Sequence, residues 1–133
     1  FRFYESKVIC FFSNYQKIKE NNINVIKVFS VDNYFNFNEV VAYEKVCDYF
    51  LFDTKTPKYG GSGKTFDWEL LENYTLSKPF ILSGGLSIHT IGKLKFNKYP
   101  MLAGLDFNSR LEDSNTKKIT EEVSELIEKI RRR

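Results

Sequence analysis

Three short runs, residues 49–54 (YFLFDT), 79–84 (PFILSG) and 101–107 (MLAGLDF), are apolar almost without interruption. A strand with one wet face alternates apolar and polar residues, whereas a parallel strand covered on both faces does not. These runs therefore point to strands buried between two layers. Residues 25–31 (VIKVFSV) form a fourth strand candidate, and residues 1–4 a weaker fifth. Between them lie longer amphipathic stretches, residues 8–21, 36–47, 67–74, 87–96 and 116–132, each expected to be a helix. Strands and helices alternating at this spacing predict βαβ units, a parallel sheet and right-handed crossovers. The expected class is α/β, either an open doubly wound sheet or part of a (β/α)8 barrel. A complete barrel needs about 200 residues or more, and the chain has 133.

The helix candidates carry local signals. In residues 36–47 the apolar side is Phe37, Val40, Val41 and Tyr43. Asp67 suits the first turn of its helix, and Ser87 is a possible cap of the next. Residues 116–132 show a stripe of Ile119, Val123, Leu126, Ile127 and Ile130, with arginines at the end that favour the negative pole of the helix dipole.

Composition narrows the function classes. Hydrophobic residues make up 42% of the chain and charged ones 28%, which is ordinary for a globular domain. No apolar run approaches the ~20 residues that cross a bilayer, and the start has no signal-peptide pattern, since Arg2, Glu5 and Lys7 interrupt it. The net charge of +3 comes with Lys and Glu mixed throughout, so neither a nucleic-acid nor a membrane partner is expected. Cys10 and Cys47 show no metal-ligand spacing and no disulfide framework. A reduced, cytoplasmic setting is expected. The first residue is Phe rather than Met, so a processed, cut or incomplete chain is expected.

The residues that can carry chemistry gather after the strand candidates. Asp53 ends an apolar strand, and is either a carboxylate capping loop amides or a general acid beneath the following loop. That loop, Gly60-Gly61-Ser62-Gly63-Lys64-Thr65, fails the Walker A spacing because Lys58 stands where its first glycine belongs. It fails the dinucleotide pattern too, because Phe66 takes the last glycine's place. It is a covering lid or a plain surface loop. Ser83-Gly84-Gly85-Leu86 leads from a strand toward an expected helix start, where backbone N–H groups and the helix dipole favour an anion; a tight turn explains the glycines equally well. Gly104-Leu105-Asp106-Phe107-Asn108-Ser109-Arg110 closes the last strand with small and polar groups. Two such turns on the last two strands make a phosphate site, since barrel phosphate sites commonly use the final two loops. His89, the only histidine, is expected on a helix surface. Lys27 points either into a barrel lumen or out to solvent. Cys10 is expected in the core rather than as a nucleophile.

In these pieces, VIKVFSV, FLFDTKTPKYGGSGKTFDW, PFILSGGL and GLDFNSRLE, in this order and spacing, the chain resembles the phosphoribosylanthranilate isomerase family. The resemblance runs from about Glu5 to the end, and implies a (β/α)8 barrel of which residues 1–133 are a single domain comprising units four to eight, without the first three. It implies an aldose–ketose isomerase of tryptophan biosynthesis, acting without cofactor or metal. The reaction would be the Amadori rearrangement of N-(5′-phosphoribosyl)anthranilate to 1-(2-carboxyphenylamino)-1-deoxyribulose 5-phosphate. Asp53 matches the family's general acid, which opens the ribose ring to a Schiff base. Gly84 and Gly85, with Asn108, Ser109 and Arg110, match phosphate-binding turns. Asp106 matches a carboxylate near the sugar hydroxyls, and Gly60, Gly61 and Gly63 the covering loop.

The chain also departs from the family. Its general base, a Cys in a Lys-x-Cys-Gly motif on the first strand, has no counterpart here, and neither Cys10 nor Cys47 has that context. The family's arginine for the anthranilate carboxylate is likewise absent, and Tyr4 stands near the place of a family histidine. The chain alone is therefore expected to be inactive and to associate through open barrel edges. The competing reading is a non-catalytic α/β module that binds a phosphorylated ligand. Other phosphate-binding barrel enzymes, epimerases or indole-forming synthases, are similar mainly at the phosphate turns and lack the Asp-Thr…Gly-Gly-Ser-Gly-Lys-Thr-Phe-Asp-Trp run.

Overall fold

A computed structural model describes residues 8–55, 66–107 and 116–131. In chain order its regular elements are α1 (Val8–Lys19), β1 (Ile26–Val31), β2 (Tyr49–Thr54), β3 (Phe80–Ser83), β4 (Leu102–Asp106) and α2 (Thr116–Arg131). The strands form one sheet in the order β1-β2-β3-β4, and every adjacent pair is parallel. The α/β expectation holds, and four sequential parallel strands are consistent with part of a barrel. The fifth strand candidate, residues 1–4, lies outside the described residues. Among the described residues no helix is long and apolar enough to cross a membrane.

Side chains of a strand alternate between its faces, and parallel partners in register share a face. One face of this sheet is aromatic. Phe29, Phe50, Phe52 and Phe80 lie on it, with Val31 and Leu82 fully buried among them. Rings from the connections close over these: Phe37 meets Phe52 edge to face at 5.3 Å, and Tyr74 meets Phe80 at 5.2 Å. Edge-to-face pairs set positive ring edges on negative faces, each worth about 0.5–1.5 kcal/mol beyond burial. Phe29, Phe35, Phe37, Phe50, Phe52 and Phe80 thus meet in a single layer.

Three of the expected helices are 3₁₀ turns instead. Residues 36–47 contain Phe37–Tyr43, residues 67–74 contain Trp68–Asn73, and residues 87–96 contain Ile91–Lys93, followed by Phe96–Lys98. The reason is a repeat of three, the 3₁₀ period. Phe37 and Val40 are buried and Tyr43 packs on the core, whereas Val41, placed by an α-helical reading on the same side, is 50% exposed. Trp68, Leu71 and Tyr74 repeat the pattern, as do Ile91 and Leu94. Two of the starts carry side-chain caps: Asn36 accepts from the N–H of Asn38, and Asp67, expected in the first turn, stands at the cap and accepts from the N–H of Glu69. On α2, Leu126 is buried and Ile130 packs on the core, but Ile127 is 42% exposed and falls off the expected stripe.

α1 is fastened to the sheet at its N-terminal edge by Asp48. One carboxylate oxygen accepts from Lys19 Nζ at 2.9 Å and Tyr15 Oη at 3.2 Å. The other accepts from the Val25 N–H at 2.7 Å.

Candidate active site

At the carboxyl ends of the strands, register brings four polar residues into one row. Ser30 pairs with Asp53, Asp53 with Ser83, and Ser83 with Asp106. The row shares the face of Val28, Leu51, Ile81 and Gly104, opposite the aromatic layer. In α/β proteins this end of a parallel sheet is where ligands bind. Adjacent strands lie about 4.8 Å apart, which puts Asp53 and Asp106 about 10 Å from one another with Ser83 between them. Ser83 is 4% exposed, and its hydroxyl donates to Asp106 Oδ2 at 3.2 Å. Asp53 and Asp106 are half-buried. Among the described residues no amide or side chain hydrogen-bonds the Asp53 carboxylate.

Asp106 reaches this row through an irregularity. Phe80 pairs with Leu102, but Ile81 pairs with Gly104, leaving Ala103 as an extra residue. A one-residue slip exchanges the faces of everything beyond it. Without it Ser83 would face Leu105, and Asp106 would point into the aromatic layer.

Gly84 and Gly85 follow β3 with φ of +84° and +67°. A Cβ at Gly84 would lie 2.6 Å from the Thr54 backbone nitrogen, so glycine is needed here both for its dihedral and for space. Thr54 Oγ1 approaches the Gly84 carbonyl at 3.5 Å and accepts from the Phe66 N–H at 3.4 Å. The turn after β3 and the chain returning toward Trp68 therefore meet at the end of β2. Past Gly85, the Thr90 hydroxyl donates to the Gly85 carbonyl at 2.9 Å and accepts from the Ser87 N–H at 2.8 Å. Ser87 does accept a hydrogen bond, from the Thr90 N–H at 3.2 Å, but within this turn rather than at an α-helix start. No α-helix follows Gly85 directly, so the expected helix dipole is missing there, and only the backbone N–H groups of the turn are left to meet an anion.

The other sequence candidates divide clearly. Gly60, Gly61, Gly63, Asn108, Ser109 and Arg110 lie outside the described residues. His89 is exposed in a turn, not on a helix. Lys27 takes neither of its expected orientations: it is 8% exposed on the aromatic face, its ammonium 4.7 Å from the Tyr43 ring centre. Cys47 is buried, and desolvation pushes its thiol up to about 11. Ser83 was missed as a site residue, although an extended strand with Asp53 on one neighbour and Asp106 on the other hints at it.

The fold and rim define a parallel α/β protein with its polar groups collected at the strand carboxyl ends. The model of the N-(5′-phosphoribosyl)anthranilate (PRA) isomerase family matches residues 12–129, and the chain belongs to that family. It is 41% identical over 118 residues to the N-(5′-phosphoribosyl)anthranilate isomerase of Phocaeicola vulgatus, covering 89% of this chain and 58% of that protein. Over 114 residues it is 39% identical to the enzyme of the same name from Petrotoga mobilis, covering 85% and 54%. It is also 39% identical over 100 residues to the tryptophan biosynthesis protein TrpCF of Helicobacter pylori, covering 74% of this chain and 21% of that protein. The chain spans about half the length of the single-function relatives it matches. No solved structure matches it.

Proposed function

We propose that this chain provides the acid and the phosphate-holding side of a phosphoribosylanthranilate isomerase. The observation that carries the reading is the in-register row Asp53, Ser83, Asp106 at the strand ends, beside the Gly84 turn. Asp53 donates a proton to the ribose ring oxygen as the C1′–O bond breaks, and the anilino nitrogen's lone pair forms the C=N bond of the Schiff base. A base then removes the proton from C2′, and the electrons move back toward nitrogen to give an enolamine. Tautomerisation of that enolamine yields the ketose. Atoms and charge balance without a cofactor. The phosphate sits on the backbone N–H groups of the Gly84-Gly85 turn, joined by Asn108, Ser109 and Arg110, and Asp106 receives the sugar hydroxyls. Gly60, Gly61 and Gly63 belong to the covering loop.

The base does not come from Cys47. Its thiol is held neutral at physiological pH by burial, donates to the Tyr43 carbonyl at 3.3 Å, and precedes β2. Asp53 lies six positions further along the extended chain, near the other end of β2 and about 20 Å away at 3.3 Å per residue. On the family's pattern the base belongs to the first three βα units, wherever they are encoded; its Lys-x-Cys-Gly motif is not among residues 1–133.

The test uses this chain assembled with those units from a family member. Turnover of PRA is expected, and Asp53→Asn should lower it by about a thousandfold, the usual range for loss of a general acid, with little change in phosphate-ligand affinity. Undiminished turnover in the Asp53→Asn assembly would reject the assignment. An assembly that binds sugar phosphate but never rearranges it would favour a binding module.

A further inference from the structure

We propose that Ser83 is a positioning residue that fixes the carboxylate of Asp106 for recognition of the sugar; this rests on the isomerase reading only in naming the sugar as a ribose phosphate. Ser83 is the most buried polar member of the row, 4% exposed. A buried hydroxyl costs free energy unless it is hydrogen-bonded, and this one donates across the β3–β4 ladder to Asp106 Oδ2 at 3.2 Å. The partner strand reaches that position only through the extra residue Ala103, which turns Asp106 onto the Ser83 face. Two independent features, an irregular register and a buried donor, converge on the placement of a single carboxylate.

The geometry has a chemical consequence. With its proton committed to Asp106, the Ser83 hydroxyl presents only lone pairs to its surroundings. It then separates Asp53 and Asp106 with a neutral acceptor rather than a third charge. A carboxylate held at one oxygen is restricted in rotation, so it meets a sugar hydroxyl with less conformational freedom to lose. Removing the Ser83 hydroxyl leaves Asp106 chemically intact but takes away its hold from β3. The loss therefore falls on groups that bind Asp106, namely sugar hydroxyls, and spares the phosphate.

The experiment measures binding by calorimetry, so that it does not depend on turnover. Ribose 5-phosphate and inorganic phosphate are titrated into the chain assembled with the first three βα units of a family member. Ser83→Ala should weaken ribose 5-phosphate about tenfold and leave inorganic phosphate within twofold. Ser83→Thr, which keeps a hydroxyl, should recover most of the loss. In the Asp106→Asn background Ser83→Ala should add less than twofold. An unchanged ribose 5-phosphate affinity in Ser83→Ala would overturn the proposal. So would equal weakening of both ligands, or full additivity with Asp106→Asn. Failure of the isomerase reading shows separately, as absence of PRA turnover in the unmutated assembly.

Discussion

Gly84 illustrates how much a single position decides at this rim. Its φ of +84° is unfavourable for any residue with a Cβ, and the added atom would press on the backbone and side chain of Thr54 at 2.6–2.7 Å. The dihedral alone costs about 1–3 kcal/mol, and the obstructing atoms include backbone that cannot rotate away. Gly84→Ala should therefore destabilise the chain by about 2 kcal/mol or more, read as a lower urea midpoint at unchanged slope. Sugar-phosphate affinity should fall as well, because the turn would move. The glycine itself was legible in the sequence; that Thr54 is the residue pressing against it was not, since the two are thirty residues apart in sequence.

At the scale of elements, the attachment of α1 runs through Asp48. Burial alone pushes this carboxyl up, but the Val25 N–H, the Lys19 ammonium and the Tyr15 hydroxyl together outweigh it and hold the carboxyl below its ordinary value of 3.8. A group whose pKa is lowered by folding stabilises the fold above its unfolded value, and that contribution is lost as pH falls through the folded value. Asp48→Asn should thus cost about 1 kcal/mol at pH 7, allowing for solvent screening. The gap from the unmutated chain should close as the pH drops below 3.8. Urea melts of both proteins between pH 7 and pH 2 check this. The connections after β1, β2 and β3 show the limit of reading elements from pattern. Phe37, Val40 and Tyr43 fit a repeat of three as well as one of 3.6 over so short a span, and packing against the aromatic face of the sheet goes with the tighter turn.

For the molecule as a whole, β1 and β4 each pair on one side only among the described residues. Unpaired strand edges recruit other strands. The 133-residue chain alone is expected to sediment as concentration-dependent oligomers and to show no PRA turnover. Mixing with the first three βα units of a relative should replace those oligomers by a 1:1 complex that turns over. Analytical ultracentrifugation paired with a turnover assay checks both halves of this expectation. A monomer active by itself would contradict it.

The amino-acid order by itself determined where the strands run: the YFLFDT strand occupies residues 49–54 as read, and the other three lie within their expected bounds. It also placed Asp53 at a strand's carboxyl end and the family motifs in order, because these are local patterns of apolarity and spacing. Which side chains share a face was settled only by the packed sheet. Side chains alternate with a period of two, so one unpaired residue at Ala103 moves Asp106 from the aromatic layer to the polar row beside Ser83. No local pattern in MLAGLDF signals that extra residue, because a register is a property of two paired strands and not of either one alone.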